Sequence, residues 1–97
     1  MVKHMIIWKL KEDVDKKAVS ADIKASLEGL VGKIEGLTEM HILTESFPVS
    51  TGDIMMDSTF ENAEALANYQ KHPLHVEIAN VKVRPNVDTR LSFDYEV

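Results

Sequence analysis

Residues 2–10 read Val-Lys-His-Met-Ile-Ile-Trp-Lys-Leu and alternate with a period of two, the period of a strand. One face of that strand carries Val2, His4, Ile6, Trp8 and Leu10. The other carries Lys3, Met5, Ile7 and Lys9, and its middle is apolar. A strand of this kind has to be packed on both sides. Helices laid over one face of its sheet satisfy half of the requirement and leave the other half open.

The rest of the chain supplies those helices. Asp15 is placed as an N-cap, and Ile23, Leu27, Leu30, Val31 and Ile34 recur at helical spacing behind it. The spacing predicts a helix over 16–35, with Gly29 and Gly32 inside it and Gly36 as its stop. Alternation returns over 37–45 and 53–60, separated by a loop with Pro48 and Gly52. Asn62 is placed to cap a second helix over 63–71. Arg84-Pro85-Asn86 breaks the segment that follows, and 89–97 alternates as a last strand.

The order is βαββαβ. With right-handed crossovers it gives an α+β, ferredoxin-like protomer: a four-stranded antiparallel sheet with both helices on one face. Met5, Ile7, Leu43 and Met55 then fall on the uncovered face. An apolar patch of that size marks an interface, so a homodimer with the two sheets face to face is expected. Residues 1–97 are expected to form one domain. A chain this short is helped by association, because a small domain buries a modest share of its surface.

Charge and cysteine content narrow the function. Sixteen acids oppose 11 bases for a net charge of −5, which argues against nucleic acid or an anionic membrane as partner. There is no cysteine, so disulfides and thiolate metal sites are excluded and a reducing compartment is compatible; the chain is read as cytoplasmic by default. No apolar run is long enough for a membrane span.

Chemistry-bearing residues gather in Tyr69-Gln70-Lys71-His72-Pro73-Leu74-His75. Pro73 biases His72 away from the helical region and suits the start of a new helix. The reading is a helix, a corner at His72-Pro73, and a short helix carrying His75. Such a corner can aim a phenol and an imidazole into one space. A structural role competes with this: His4 as a buried histidine bonded to Tyr69, and His72 as a cap on the corner. His72 and His75 could share an ion, but Pro73 between them spoils the spacing. No metal or cofactor is expected.

The stretch Val2–Asp13, the run Phe60–Tyr69, His72-Pro73-Leu74-His75 and Phe93-Asp94-Tyr95-Glu96 together resemble the stress-responsive dimeric α/β-barrel (Dabb) family over essentially the whole chain. The resemblance implies a ferredoxin-like protomer paired through its sheets into a dimeric α/β barrel. Plant polyketide cyclases of the olivetolic acid type form a branch of the same superfamily. Likeness to them implies His75 as general base, Tyr69 as the group orienting a carbonyl, and His4 in support. Ile6, Trp8, Leu27, His72 and Phe93 are the accompanying ligand-binding candidates. The first helix offers Ile23, Ala25 and Leu27 where the cyclases offer bulky aromatics, and Trp8 is large enough to fill the cavity. Three functions are therefore weighed. The first is a stress-associated protein whose small apolar pocket binds a carbonyl or aromatic compound. The second is a cyclase using a histidine base for aldol closure. The third is a cofactor-free oxygenase, suggested by fold analogy alone.

Overall fold

β1 (Val2–Leu10) is an inner strand, and a computed structural model describing all 97 residues shows how its neighbours are placed. It pairs antiparallel with β3 (Ile54–Phe60) on one side and β4 (Val87–Glu96) on the other. β2 (Leu37–Leu43) pairs with β3, so the sheet order is β2-β3-β1-β4. The helices are α1 (Lys16–Glu28), α2 (Ala63–Lys71) and α3 (Pro73–Ile78). This is the ferredoxin-like α+β arrangement with a four-stranded antiparallel sheet.

Both N-caps form where the sequence places them. The Asp15 carboxylate accepts from Ala18 N–H at 3.1 Å, and the Asn62 side-chain oxygen accepts from Ala65 N–H at 2.8 Å. α1, however, ends seven residues before the expected stop. Gly29 is its C-cap and Gly32 has φ +88°, a left-handed conformation that does not continue a helix. The two glycines expected inside the helix lie instead at its C-cap and beyond it. Leu30 and Ile34 stay buried in the turns that follow, so their apolar spacing persists without the helix. Gly36 has φ +87°, and a Cβ there would lie 2.5 Å from Ala65 Cβ. The chain thus enters β2 pressed against α2.

The core lies between the helices and the inner face of the sheet. Ile6, Trp8 and Leu10 of β1, Ile54, Met56 and Phe60 of β3, and Ile23 and Leu27 of α1 are all buried. Two bonds tie α1 to the end of β2: Ile42 N–H donates to Glu28 at 2.9 Å, and Lys24 Nζ donates to the Ile42 carbonyl at 2.9 Å. No helix is long and apolar enough to cross a membrane.

The outer face is different. Directly paired residues point to the same side of a sheet, so the register Met5↔Phe93 and Ile7↔Leu91 puts all four there. Leu91 is 67% exposed and Phe93 is 70% exposed. Ile7, Leu43 and Tyr95 are exposed as well. The expected uncovered apolar face is present, and Phe93 is part of it rather than of the core. With a partner sheet packed on this face, the Leu91→Asp, Phe93→Asp double variant should sediment as a 10.9 kDa monomer while the unaltered protein sediments at twice that mass. Equal masses for the two proteins would place the interface elsewhere.

Candidate functional site

The corner at His72-Pro73 forms as the sequence implies. α2 stops at Lys71, His72 is extended at φ −65° and ψ 133°, and Pro73 opens α3. The turn swings His75 back over Tyr69, so that their ring centroids lie 4.3 Å apart. Tyr69 in turn packs on Phe60 at 4.9 Å, and Phe60 meets His4 edge-on at 6.3 Å. A continuous aromatic row therefore runs from β1 to α3 through the core.

Beyond α3 the chain widens. The Arg84 N–H donates to the carbonyl of Ala79, five residues back, closing a π-type turn over Ala79–Val83. Turns of this type are frequent at functional sites. Lys82 anchors this one on α1, with Nζ 2.8 Å from Asp22 and 2.9 Å from the Ser26 hydroxyl. Between the turn and the inner face of β1 and β4 lies a cavity of about 360 Å³. His4, Ile6 and Trp8 of β1 line it, with Leu27 of α1 and Met56 of β3. Tyr69, Gln70 and His75 form its helical wall, and Arg84 and Arg90 are also part of its lining. Trp8 walls this space and does not fill it, contrary to what its bulk suggests.

Six of the residues singled out from sequence thus converge: His4, Tyr69, His75, Ile6, Trp8 and Leu27. Two do not. His72 Nδ1 accepts from Leu74 N–H at 3.1 Å, which turns its ring to the start of α3 and away from the cavity. Phe93 lies on the opposite face of the sheet, because its register partner is Met5. Four polar residues of the site are not among those the sequence singles out. Asp94 is paired in register with His4, and its carboxylate accepts from His4 Nδ1. Gln70, Arg84 and Arg90 were not recognised as lining. Arg90 and Asp94 share the strand parity that faces the helices, and that parity was the available signal.

The electrostatics separate three roles. His4 is 2% exposed and bonded by Asp94 through Nδ1, so Nε2 is its remaining hydrogen-bonding atom. The expectation that Tyr69 partners His4 is not met. The Tyr69 hydroxyl is buried with no protein partner, and so is His75 Nδ1. Leaving such atoms unpaired costs about 1–3 kcal/mol each. Burial pushes the Tyr69 hydroxyl well above the usual phenol range, so it stays a donor at neutral pH. Burial also holds the His75 imidazolium below its usual range; His4, Arg84 and Arg90 add to this, and the Gln70 backbone opposes it.

That shift has a sign in stability. The folded state resists protonating His75, whereas the unfolded chain takes up the proton near 6.5. The contribution is complete above that pH and is lost as pH falls through it. Lowering pH from about 7.5 to about 5.5 should reduce the melting temperature of the protein more than that of the His75→Gln variant. Equal losses would show that His75 is not held neutral by the fold.

Comparison with known proteins agrees with this architecture. The family model described as the stress responsive A/B barrel domain matches residues 2–97. The stress-response A/B barrel domain-containing protein HS1 of Arabidopsis thaliana is 32% identical over 98% of this chain and 88% of its own. A dimeric ferredoxin-like protein of unknown function from Bacteroides fragilis superposes with a TM-score of 0.90, at 30% identity, over 99% of this chain and 95% of its own. A hydroxynitrile lyase from Passiflora edulis shares the fold at a TM-score of 0.83 and 19% identity, over 99% of this chain and 92% of its own. From its first strand to its last, the chain belongs to the stress-responsive A/B barrel (Dabb) family.

Proposed function

We propose that this protein binds a small carbonyl compound with an apolar body in the cavity between β1, β4 and α3, as one half of a homodimer closed through the outer sheet faces. The observation that carries this is the pair of unpartnered buried atoms, the Tyr69 hydroxyl and His75 Nδ1, on adjacent tilted rings in one cavity. A ligand carbonyl oxygen accepts from the hydroxyl. The volume of about 360 Å³ is in the usual range for small-molecule sites. Trp8, Ile6 and Leu27 give the ligand's hydrocarbon or aromatic part an apolar wall.

The His4–Asp94 pair favours turnover as a second reading. His75, held neutral by burial, takes the proton next to the bound carbonyl. The Tyr69 hydroxyl donates to the enolate oxygen as charge develops there. The enolate carbon attacks a second carbonyl of the same molecule, and the His75 imidazolium returns its proton to the new alkoxide. His4, oriented by Asp94, positions the second carbonyl from the opposite wall. No particular side chain favours the oxygenase reading, which rests on fold alone.

A panel of aromatic ketones and diketones, followed by thermal shift and calorimetry, tests the binding. Tyr69→Phe should weaken a bound ketone about tenfold, the worth of one buried hydrogen bond. His75→Ala should abolish any aldol closure while leaving the oligomer intact. Unchanged affinity in Tyr69→Phe would remove the phenol from the site, and retained turnover in His75→Ala would remove the base.

A further inference from the structure

The chain has two arginines, and both line the cavity that holds Tyr69 and His75. They reach it from separate elements. Arg84 follows the π-type turn, and Arg90 lies on β4 opposite Trp8. Neither guanidinium has a carboxylate within ion-pair distance, whereas Lys3, Lys16, Lys24 and Lys82 all do. Arg84 donates to the side-chain oxygen of Asn80, a neutral acceptor that steadies the group without cancelling its charge. In a chain with five more acids than bases, two uncompensated guanidinium groups facing one small cavity are not explained by the fold. Both are exposed, whereas His4 and Tyr69 are buried, so the cations sit on the solvent side and the phenol on the inner side.

Resting on the carbonyl-binding reading above, we infer that the ligand is a keto acid, with its carbonyl at Tyr69 and His75 and its carboxylate held at the mouth by Arg84 and Arg90. Guanidinium groups match carboxylate geometry with paired N–H donors, and these bonds are stronger than neutral ones. Two like charges brought to one opening repel each other until an anion sits between them. The same anion offsets the field that the two arginines impose on His75. The ligand is then polar at both ends and apolar between them, and Ile6, Trp8 and Leu27 of the cavity lining supply apolar contact for its middle.

The probes are 3-benzoylpropionate, an aromatic keto acid, and its primary amide, which has the same shape without the charge. Calorimetry on the 97-residue chain at low salt should show the acid bound about tenfold more tightly than the amide. Raising the salt should narrow that gap, because the cations are exposed. Arg90→Gln and Arg84→Gln should each lower affinity for the acid several-fold more than for the amide, and Arg90→Lys should recover part of the loss. Retained amide binding also shows that each variant is folded. Equal binding of acid and amide, or Gln variants that keep the preference, would overturn the keto-acid assignment and leave the carbonyl site standing. Binding of neither probe would overturn both.

Discussion

The register of β1 against its two neighbours decides everything that the site contains. Because side chains alternate across a strand, a slip of one residue would send Lys3, Met5, Ile7 and Lys9 under the helices. The observed register sends His4, Ile6 and Trp8 there. On one side it sets His4 opposite Ser58, whose hydroxyl donates to the His4 carbonyl at 2.7 Å. On the other it sets His4 opposite Asp94, the partner of its ring. One strand thus chooses the core, the buried histidine and the carboxylate that orients it.

The helical layer then determines how much of that inner face is filled. α1 and α2 cover β2 and β3 closely, and Ile42, Ile54, Met56 and Phe60 are almost fully buried. α3 is only six residues long and has no buried residue of its own. The proline corner brings it back over Tyr69, and the widened turn after it buries Val83 but leaves a gap to β1 and β4. A space remains there, and Tyr69 closes its inner end at 1% exposure. The same shortness that weakens α3 as a structural element makes it suitable as a wall for a ligand.

Much of this was legible beforehand. Period-two alternation located all four strands, and Asp15, Asn62 and Pro73 marked where the helices begin. His4, Tyr69 and His75 could be grouped because a strand parity and a proline corner are local properties. What was not legible depended on pairing between distant segments. Phe93 reads as a pocket residue in the sequence, and only its register with Met5 shows that it faces outward. Asp94 became a partner for His4 through that same pairing, 90 residues away. His72 stays out of the cavity for a local reason: the lone pair on Nδ1 satisfies the first free N–H of α3. Leu30 and Ile34 keep helical spacing beyond the end of α1, while Gly32 adopts a left-handed turn that spacing does not report.

The four histidines allow the placement of the site to be read in one spectrum. His4 and His75 line the cavity, whereas His72 caps α3 and His41 is exposed on the outer face, 3.9 Å from Glu39. Titrating the protein with an aromatic ketone while following the imidazole nitrogens by long-range proton–nitrogen NMR tests the cavity directly. If the cavity is the binding site, the His4 and His75 signals move with ligand and those of His41 and His72 stay in place. Movement of His41 or His72 with His4 and His75 unchanged would put the ligand elsewhere and contradict the site.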